Sequence, residues 1–195
     1  MYELLILGSL STRDMSGYKL RQVLENALVP RRKVSNGVMY PQLKKLAAAG
    51  DIVFLTTEVD ARGKRLAHIT PQGRQHLQEL LAMPVAMDAK RESVYRFKFK
   101  VMADASLAVQ SQIINEYKAA VLEDLASYQQ VTLHLQRKLD DEADDEADEA
   151  AETIEWGIRT LDLQITTSEA KIKWSNQQLA RIEAAGINGG KQAND

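Results

Sequence analysis

Apolar residues at helical spacing through residues 2–50, a β-branched hairpin with a cationic tip, and an apolar 4-3-4-3 repeat from residue 154 predict a mainly α fold with a small β-hairpin. The expected architecture is an N-terminal winged helix-turn-helix followed by a C-terminal helical, coiled-coil domain. At 195 residues the chain can bury a real core, as one extended domain or two small ones. It holds no Cys, which excludes disulfide scaffolds, thiolate metal sites and Cys nucleophiles. No apolar run approaches the ~20 residues that span a bilayer. The N-terminus lacks the basic start of a signal peptide and carries Glu3, so it reads as a first helix. A soluble cytoplasmic protein is the expectation.

Taken in order, residues 2–10 are apolar enough for a buried helix, and Ser11-Thr12-Arg13-Asp14 reads as a turn. Ser16 caps a second helix, whose Leu20, Val23, Leu24, Ala27 and Leu28 follow the i, i+3, i+4, i+7, i+8 rule. Pro30 ends it. Arg31-Arg32-Lys33 then makes a basic connector, as able to reach phosphates as to be a plain solvated turn. Ser35 opens a third helix, with Met39, Leu43 and Leu46 on its buried face, and Gly50 closes it where a C-terminus needs φ > 0. Asn36, Tyr40 and Lys44 fall on a neighbouring stripe at i, i+4, i+8, placing an amide, a phenol and a cation on one side. An ordinary amphipathic surface helix shares this pattern, which also suits the major groove of DNA. Pro41 stands six residues after the cap, and its missing N–H forfeits a bond to the Gly37 carbonyl. By propensity alone the helix starts at Pro41 and residues 35–40 form a turn.

The flanks separate these readings. Ile52-Val53-Phe54-Leu55-Thr56-Thr57 reads as a strand, and Asp60-Ala61-Arg62-Gly63-Lys64-Arg65 as a Gly-containing turn with three cations. Leu66-Ala67-His68-Ile69 returns as the second strand. Thr70-Pro71 then starts a helix, with Thr as N-cap, Pro at the first helical position, and Leu77, Leu80 and Leu81 as its buried side. Helix, helix, helix, hairpin, helix is the order of a winged helix. Its third helix enters the major groove, and Arg62, Lys64 and Arg65 at the wing reach the backbone or minor groove. Charge agrees. Residues 1–83 hold 12 Lys/Arg against 7 Asp/Glu, a balance of +5, and the remainder holds 13 against 20, or −7. A basic module facing a polyanion and an acidic module with another role fit that division.

These residues also resemble a known family, the PadR-type transcriptional regulators. The resemblance is carried by Met15-Ser16-Gly17-Tyr18-Lys19-Leu20, by Ser35-x-Gly37-x-x-Tyr40-Pro41-x-Leu43-x-x-Leu46-x-x-x-Gly50-x-Ile52, and by Ile69-Thr70-Pro71-x-Gly73-Arg74, which together cover most of residues 1–83. It implies a dimeric winged-helix repressor with a helical C-terminal dimerisation domain. It also implies one helix through Pro41, with an irregular first turn and Tyr40 at the DNA surface. The wing departs from the family, many of whose members have a Gly-Arg-Pro-type tip and an aromatic residue where this chain has Ala67-His68.

Beyond Met83-Pro84, residues 85–91 are a connector. Tyr95-Arg96-Phe97-Lys98-Phe99-Lys100-Val101 alternates apolar and basic, which by period is a strand. The resemblance implies a helix there. Residues 107–139 form a long helix with Leu107, Ile114, Tyr117, Val121, Leu125, Tyr128, Leu135 and Leu139 on its apolar side. Residues 140–149 hold eight acids in ten positions, expected to be a frayed, solvated connection without the Gly and spacing of an EF-hand loop. The last helix carries Ile154, Ile158, Leu161, Ile165, Ser168, Ile172, Ser175, Leu179 and Ile182 in a coiled-coil repeat. Trp156, Leu163, Ala170 and Trp174 make a second stripe, so this helix needs more than one partner. A neighbouring helix of the same chain can fill one stripe, and a second subunit the other. The divisions expected are residues 1–83 as a winged-helix DNA-binding domain, 84–105 as a linker or junction, 106–185 as a helical dimerisation domain, and 186–195 as a disordered tail.

Enzymatic chemistry finds little support. His68, His76 and His134 lie in different elements without ligand-like spacing, so no metal site is expected, nor any cofactor. No phosphate loop or nucleophile elbow appears. The expected function is a homodimeric transcriptional repressor on a double-stranded, dyad-symmetric operator, its two recognition helices about one DNA turn (~34 Å) apart. The dimer would form through Ile154, Ile158, Leu161, Ile165, Ile172, Leu179 and Ile182. Asn36 and Gln42 are candidates for base or backbone hydrogen bonds. Tyr18, Ser35, Tyr40, Lys44, Arg62, Lys64 and Arg65 complete the candidate DNA surface. The long PadR-type subgroup includes repressors released by phenolic acids such as p-coumarate and ferulate. An aromatic acid needs an apolar slot and a cation or donors. Tyr95, Arg96, Phe97, Lys98, Phe99, Trp156 and Trp174 supply those types, although an aromatic core with solvated cations gives the same pattern. The alternative function is a protein-interaction adaptor, with a winged helix that docks on protein and a coiled coil that gathers partners.

Overall fold

The computed structural model describes residues 2–28, 33–56, 65–141 and 148–192. The chain divides into two compact units, Met1–Ile113 and Ile114–Asp195. In the first, helix α1 (Tyr2–Leu10) is buried along its whole length from Leu4 to Leu10, as a helix apolar all round must be. It touches α2 (Gly17–Ala27), α3 (Asn36–Ala48), α4 (Pro71–Ala82), α5 (Arg91–Lys100) and the strand β3 (Arg65–Ile69). The core therefore sits around α1. Leu20 and Leu24 of α2, Met39, Leu43 and Leu46 of α3, and Leu77 and Leu81 of α4 close it.

The caps follow local chemistry. Ser16 Oγ accepts from Lys19 N at 3.3 Å and Thr70 Oγ1 accepts from Gly73 N at 3.0 Å, each satisfying a donor in a first turn. At the end of α3, Gly50 N donates to Ala47 O and Asp51 N to Leu46 O, with Gly50 at φ +79°. That paired pattern is a Schellman closure, which needs the left-handed conformation glycine accepts. α3 runs unbroken through Pro41. The start at Pro41 that propensity favours is overruled, because Val38 N and Met39 N both bond Ser35 O at 3.1 Å and complete a turn before the proline.

The sheet has one strand more than expected. β1 (Met15–Ser16) pairs antiparallel with β3, which pairs antiparallel with β2 (Ile52–Thr56), in the order β1-β3-β2. The wing strands register Ile52 with Ile69 and Phe54 with Ala67. Two residues carry no period, so β1 leaves no sequence signal. The wing tip, with Arg62 and Lys64, lies outside the described residues.

The basic-apolar alternation of residues 95–101 is a helix, α5, followed by a 3-10 turn at Met102–Asp104. Tyr95 and Phe97 are buried, and so is Lys98, only 1% exposed. Its ammonium donates to Leu81 O at 2.8 Å and to Met83 O, at the C-terminal end of α4. The solvated cation suggested by the pattern is thus an internal one, held where the helix dipole is negative.

α6 (Leu107–Asp141) starts in the first unit and continues into the second, where it pairs with α7 (Asp148–Gln192). The Tyr117 and Trp174 rings meet edge to face at 6.3 Å, and a Cβ on Gly157 would lie 3.2 Å from Leu135 Cδ1. Contacts advancing along α6 therefore retreat along α7: the pair is antiparallel. Ile154, Ile158, Leu161, Ile165, Ile172, Leu179 and Ile182 are half-buried, and Ser168 and Ser175 are buried. This stripe, expected as the dimer seam, is half-buried within one chain. Trp156 and Leu163 on the second stripe are 58% and 62% exposed. Leu107 is exposed, not on the apolar face. α7 also continues through Gly186, Gly189 and Gly190 to Gln192, where a tail was expected. A glycine costs only ~1 kcal/mol relative to Ala within a helix, too little to end one this long. Of the acidic run, residues 142–147 lie outside the described residues.

Candidate nucleic-acid interface

An open cleft of about 580 Å³ lies on the exposed side of the helix-turn-helix, lined by Ser16, Gly17, Tyr18, Tyr40, Leu43, Lys44, Phe54 and Arg65. Two helices and both wing strands build it. The capped start of α2 projects Tyr18, 61% exposed; α3 contributes Tyr40, 52% exposed, and Lys44 one turn later; the wing strands bring Phe54 and Arg65. Because Met39, Leu43 and Leu46 bury the neighbouring stripe of α3, Tyr40 and Lys44 are left on its exposed side.

Hydrogen bonds fix the edges. Gln22 Nε2 donates to Tyr18 OH at 3.0 Å, and the Arg21 guanidinium lies 5.4 Å from the Tyr18 ring centroid. Arg21 Nη1 donates to Asn36 Oδ1 at 3.0 Å, joining α2 to the first residue of α3. Lys45 is committed elsewhere: its Nζ donates to Glu3 Oε1 at 2.6 Å, and the bond and charge of Glu3 raise its pKa above the ordinary 10.5. Lys44 makes no such pair among the described residues.

Of the expected DNA-surface residues, the cleft gathers Tyr18, Tyr40, Lys44 and Arg65. Ser35 and Asn36 are exposed at the start of α3, Ser35 without a side-chain capping bond. Gln42 is half-buried and does not line the cleft. The residues that the sequence reading passed over are Phe54, Gly17 and Arg21. Arg21 stands at i+3 from Tyr18 on α2, a spacing that could have flagged it.

The expected effector residues divide between the units. Tyr95 and Phe97 belong to the core of the first; Phe99 is half-buried and stacked on Tyr95 at 6.0 Å, and Arg96 is exposed. In the second, Trp156 is exposed with Arg159 5.0 Å over its ring, and Trp174 packs on Tyr117. His68 Nδ1 lies 2.7 Å from Asp14, and His76 Nδ1 2.7 Å from the buried Asp51. Among the described residues no cluster of His or carboxylates could hold a metal ion, and no helix is long and apolar enough to cross a membrane.

Three helices with an antiparallel hairpin at the edge, and cations and phenols on the shared face, define a winged helix-turn-helix module. Residues 6–79 match the family described as the transcriptional regulator PadR-like family. Among solved structures, the chain is similar to Bacillus subtilis PadR in complex with operator DNA: 22% identity over 92% of this chain and 96% of that one, with a TM-score of 0.40. The same Bacillus subtilis protein in complex with p-coumaric acid gives 21% identity, 93% and 98% coverage, and a TM-score of 0.38. A PadR-like transcriptional regulator from Bacillus cereus gives 19% identity, 95% and 99% coverage, and a TM-score of 0.39. No curated protein matches.

Proposed function

We propose that the chain is a homodimeric repressor that binds a dyad-symmetric operator and is released by a small aromatic acid. The observation that carries DNA binding is the cleft. Two phenols and two cations from three separate elements converge on one exposed face, a chemistry that suits successive phosphates beside a groove. Tyr18, Tyr40, Lys44 and Arg65, with Lys64 and Arg62 of the wing, take the backbone, Ser35 stands at the start of the same helix, and Asn36 and Gln42 take base or backbone hydrogen bonds. Dimerisation places two such faces on one duplex. For release, the members that meet a ligand are Arg96 and Phe99 on α5 and, separately, Trp156 and Trp174 on α7. Ligand binding would favour a dimer whose recognition helices no longer match the half-site spacing.

The test is affinity for selected operator fragments across a salt series. Lys44→Ala and Arg65→Ala should each weaken binding to every sequence and reduce the slope of log K against log salt by about one unit. Unchanged slopes would take the cleft out of the interface, and salt-insensitive assembly would favour the adaptor. Titrating p-coumarate into the complex tests release; no change in affinity at millimolar ligand rejects it.

A further inference from the structure

The first turn of α3 is held from α2, not by its own cap. Ser35 occupies the cap position, yet its hydroxyl bonds none of the first N–H groups. Glu25 Oε1 instead accepts from Val34 N at 3.1 Å, and Arg21 Nη1 donates to Asn36 Oδ1 at 3.0 Å. The same guanidinium lies 5.4 Å from the Tyr18 ring centroid. Its Nε is 3.8 Å from Glu25 Oε1, within reach of the charge but buried without a hydrogen bond. One cation thus orients a phenol and an amide on the same face.

The orientation of that amide follows from chemistry. A guanidinium carries donors and no acceptor, so the Asn36 atom facing it must be the carbonyl oxygen. The charge-assisted bond turns Oδ1 toward α2 and leaves Nδ2 as the outward group. In the major groove an unrestrained Asn reads adenine with both atoms, accepting from N6 and donating to N7. The bond uses one of the two lone pairs of Oδ1 but fixes the amide with that oxygen turned toward α2, so the group presented is Nδ2, to which guanine offers two acceptors, O6 and N7, and adenine only N7.

We propose that Arg21 is a positioning residue that fixes Asn36 as a hydrogen-bond donor, so that one position of each half-site favours guanine over adenine. This rests on the DNA-binding function proposed above. Sequences selected from a random duplex library by the full-length protein test it, with Arg21→Ala, Asn36→Ala and Asn36→Asp alongside. The wild type should prefer guanine at one position per half-site. Asn36→Ala and Arg21→Ala should each reduce that preference by about tenfold, with adenine gaining in Arg21→Ala, and the double variant should lose no more than either. Asn36→Asp keeps the bond to Arg21 and deletes the donor, so guanine preference should vanish with the fold intact even if Arg21→Ala unfolds. The proposal is overturned if the wild type prefers adenine where Asn36→Ala loses selectivity, if Asn36→Asp retains guanine, or if Arg21→Ala weakens all sequences alike. A wild type that binds no DNA at all removes the proposed function, and this role with it.

Discussion

Replacing Gly73 by Ala probes the joint that sets the wing against the helices. A Cβ there would lie 2.0 Å from Asp51 O, 2.9 Å from Asp51 C and 3.0 Å from Ile69 Cγ1, where ordinary contact begins at 3.4 Å. Backbone cannot rotate aside as a side-chain tip can, so the first turn of α4 must retreat. Retreat stretches Thr70 N to Asp51 O, now 3.0 Å, and Thr70 Oγ1 to Gly50 O, now 2.7 Å. Overpacking costs about 1–3 kcal/mol, and a weakened hydrogen bond about 1 kcal/mol. Helix propensity returns about 1 kcal/mol, leaving a net loss of about 2 kcal/mol. Urea denaturation followed by circular dichroism should show a lower midpoint at unchanged slope. Gly37→Ala is the contrasting substitution, since a Cβ there meets only Ser35 Oγ at 3.7 Å among the described residues. It should leave stability unchanged or raise it by up to about 1 kcal/mol, while lowering DNA affinity. A Gly73→Ala protein as stable as wild type would refute the steric reasoning.

Other substitutions separate seam from surface. Leu163→Asp, on the exposed stripe of α7, should yield a folded monomer by analytical ultracentrifugation, whereas Ile158→Asp should cost helicity because its stripe faces α6. A Leu163→Asp protein that remains dimeric would exclude that stripe from the interface. Lys98→Met should destabilise the first unit by about 2–4 kcal/mol, since it leaves the Leu81 and Met83 carbonyls without their charged donor. A thermal midpoint equal to wild type would show that those carbonyls find other partners.

Legibility in the sequence tracked the length over which a physical rule applies. α2 and α4 could be placed because cap and apolar stripe agree: Ser16 with Leu20 and Leu24, Thr70-Pro71 with Leu77 and Leu81. The repeat on α7 was legible as a pattern, but not which stripe meets which neighbour. Within that repeat Ser168 and Ser175 are the buried positions. Period misled at residues 95–101, because alternation assumes that the cations face water. Lys98 does not, since the carbonyls ending α4 offer its ammonium an internal site. Of the candidate interface, Tyr18, Tyr40 and Lys44 followed from spacing, and Arg65 from its place in the wing. Phe54 depends on packing between elements, which spacing within one element does not encode, and Arg21 could be placed beside Tyr18 by spacing but its bond to Asn36 of α3 could not.

The two ends of α3 argue for a division of labour along one helix. Its C-terminal end is closed twice over, by the Gly50 and Asp51 amides on Ala47 and Leu46. Its N-terminal turn is closed by Val38 N and Met39 N on Ser35 O but is otherwise weakly supported: Ser35 makes no side-chain cap, Gly37 has the poorest propensity after proline, and Pro41 has no N–H to give to Gly37 O. Were stability the sole demand, an ordinary cap and an Ala would serve better, since none of the described residues crowds a Cβ at Gly37. The features share one exposed turn, beside Asn36, where helix N–H groups and the positive end of the dipole face outward. Arg21 and Glu25 then act differently from a cap. By anchoring Asn36 and Val34 to α2, they hold that turn in place while its outward face stays open.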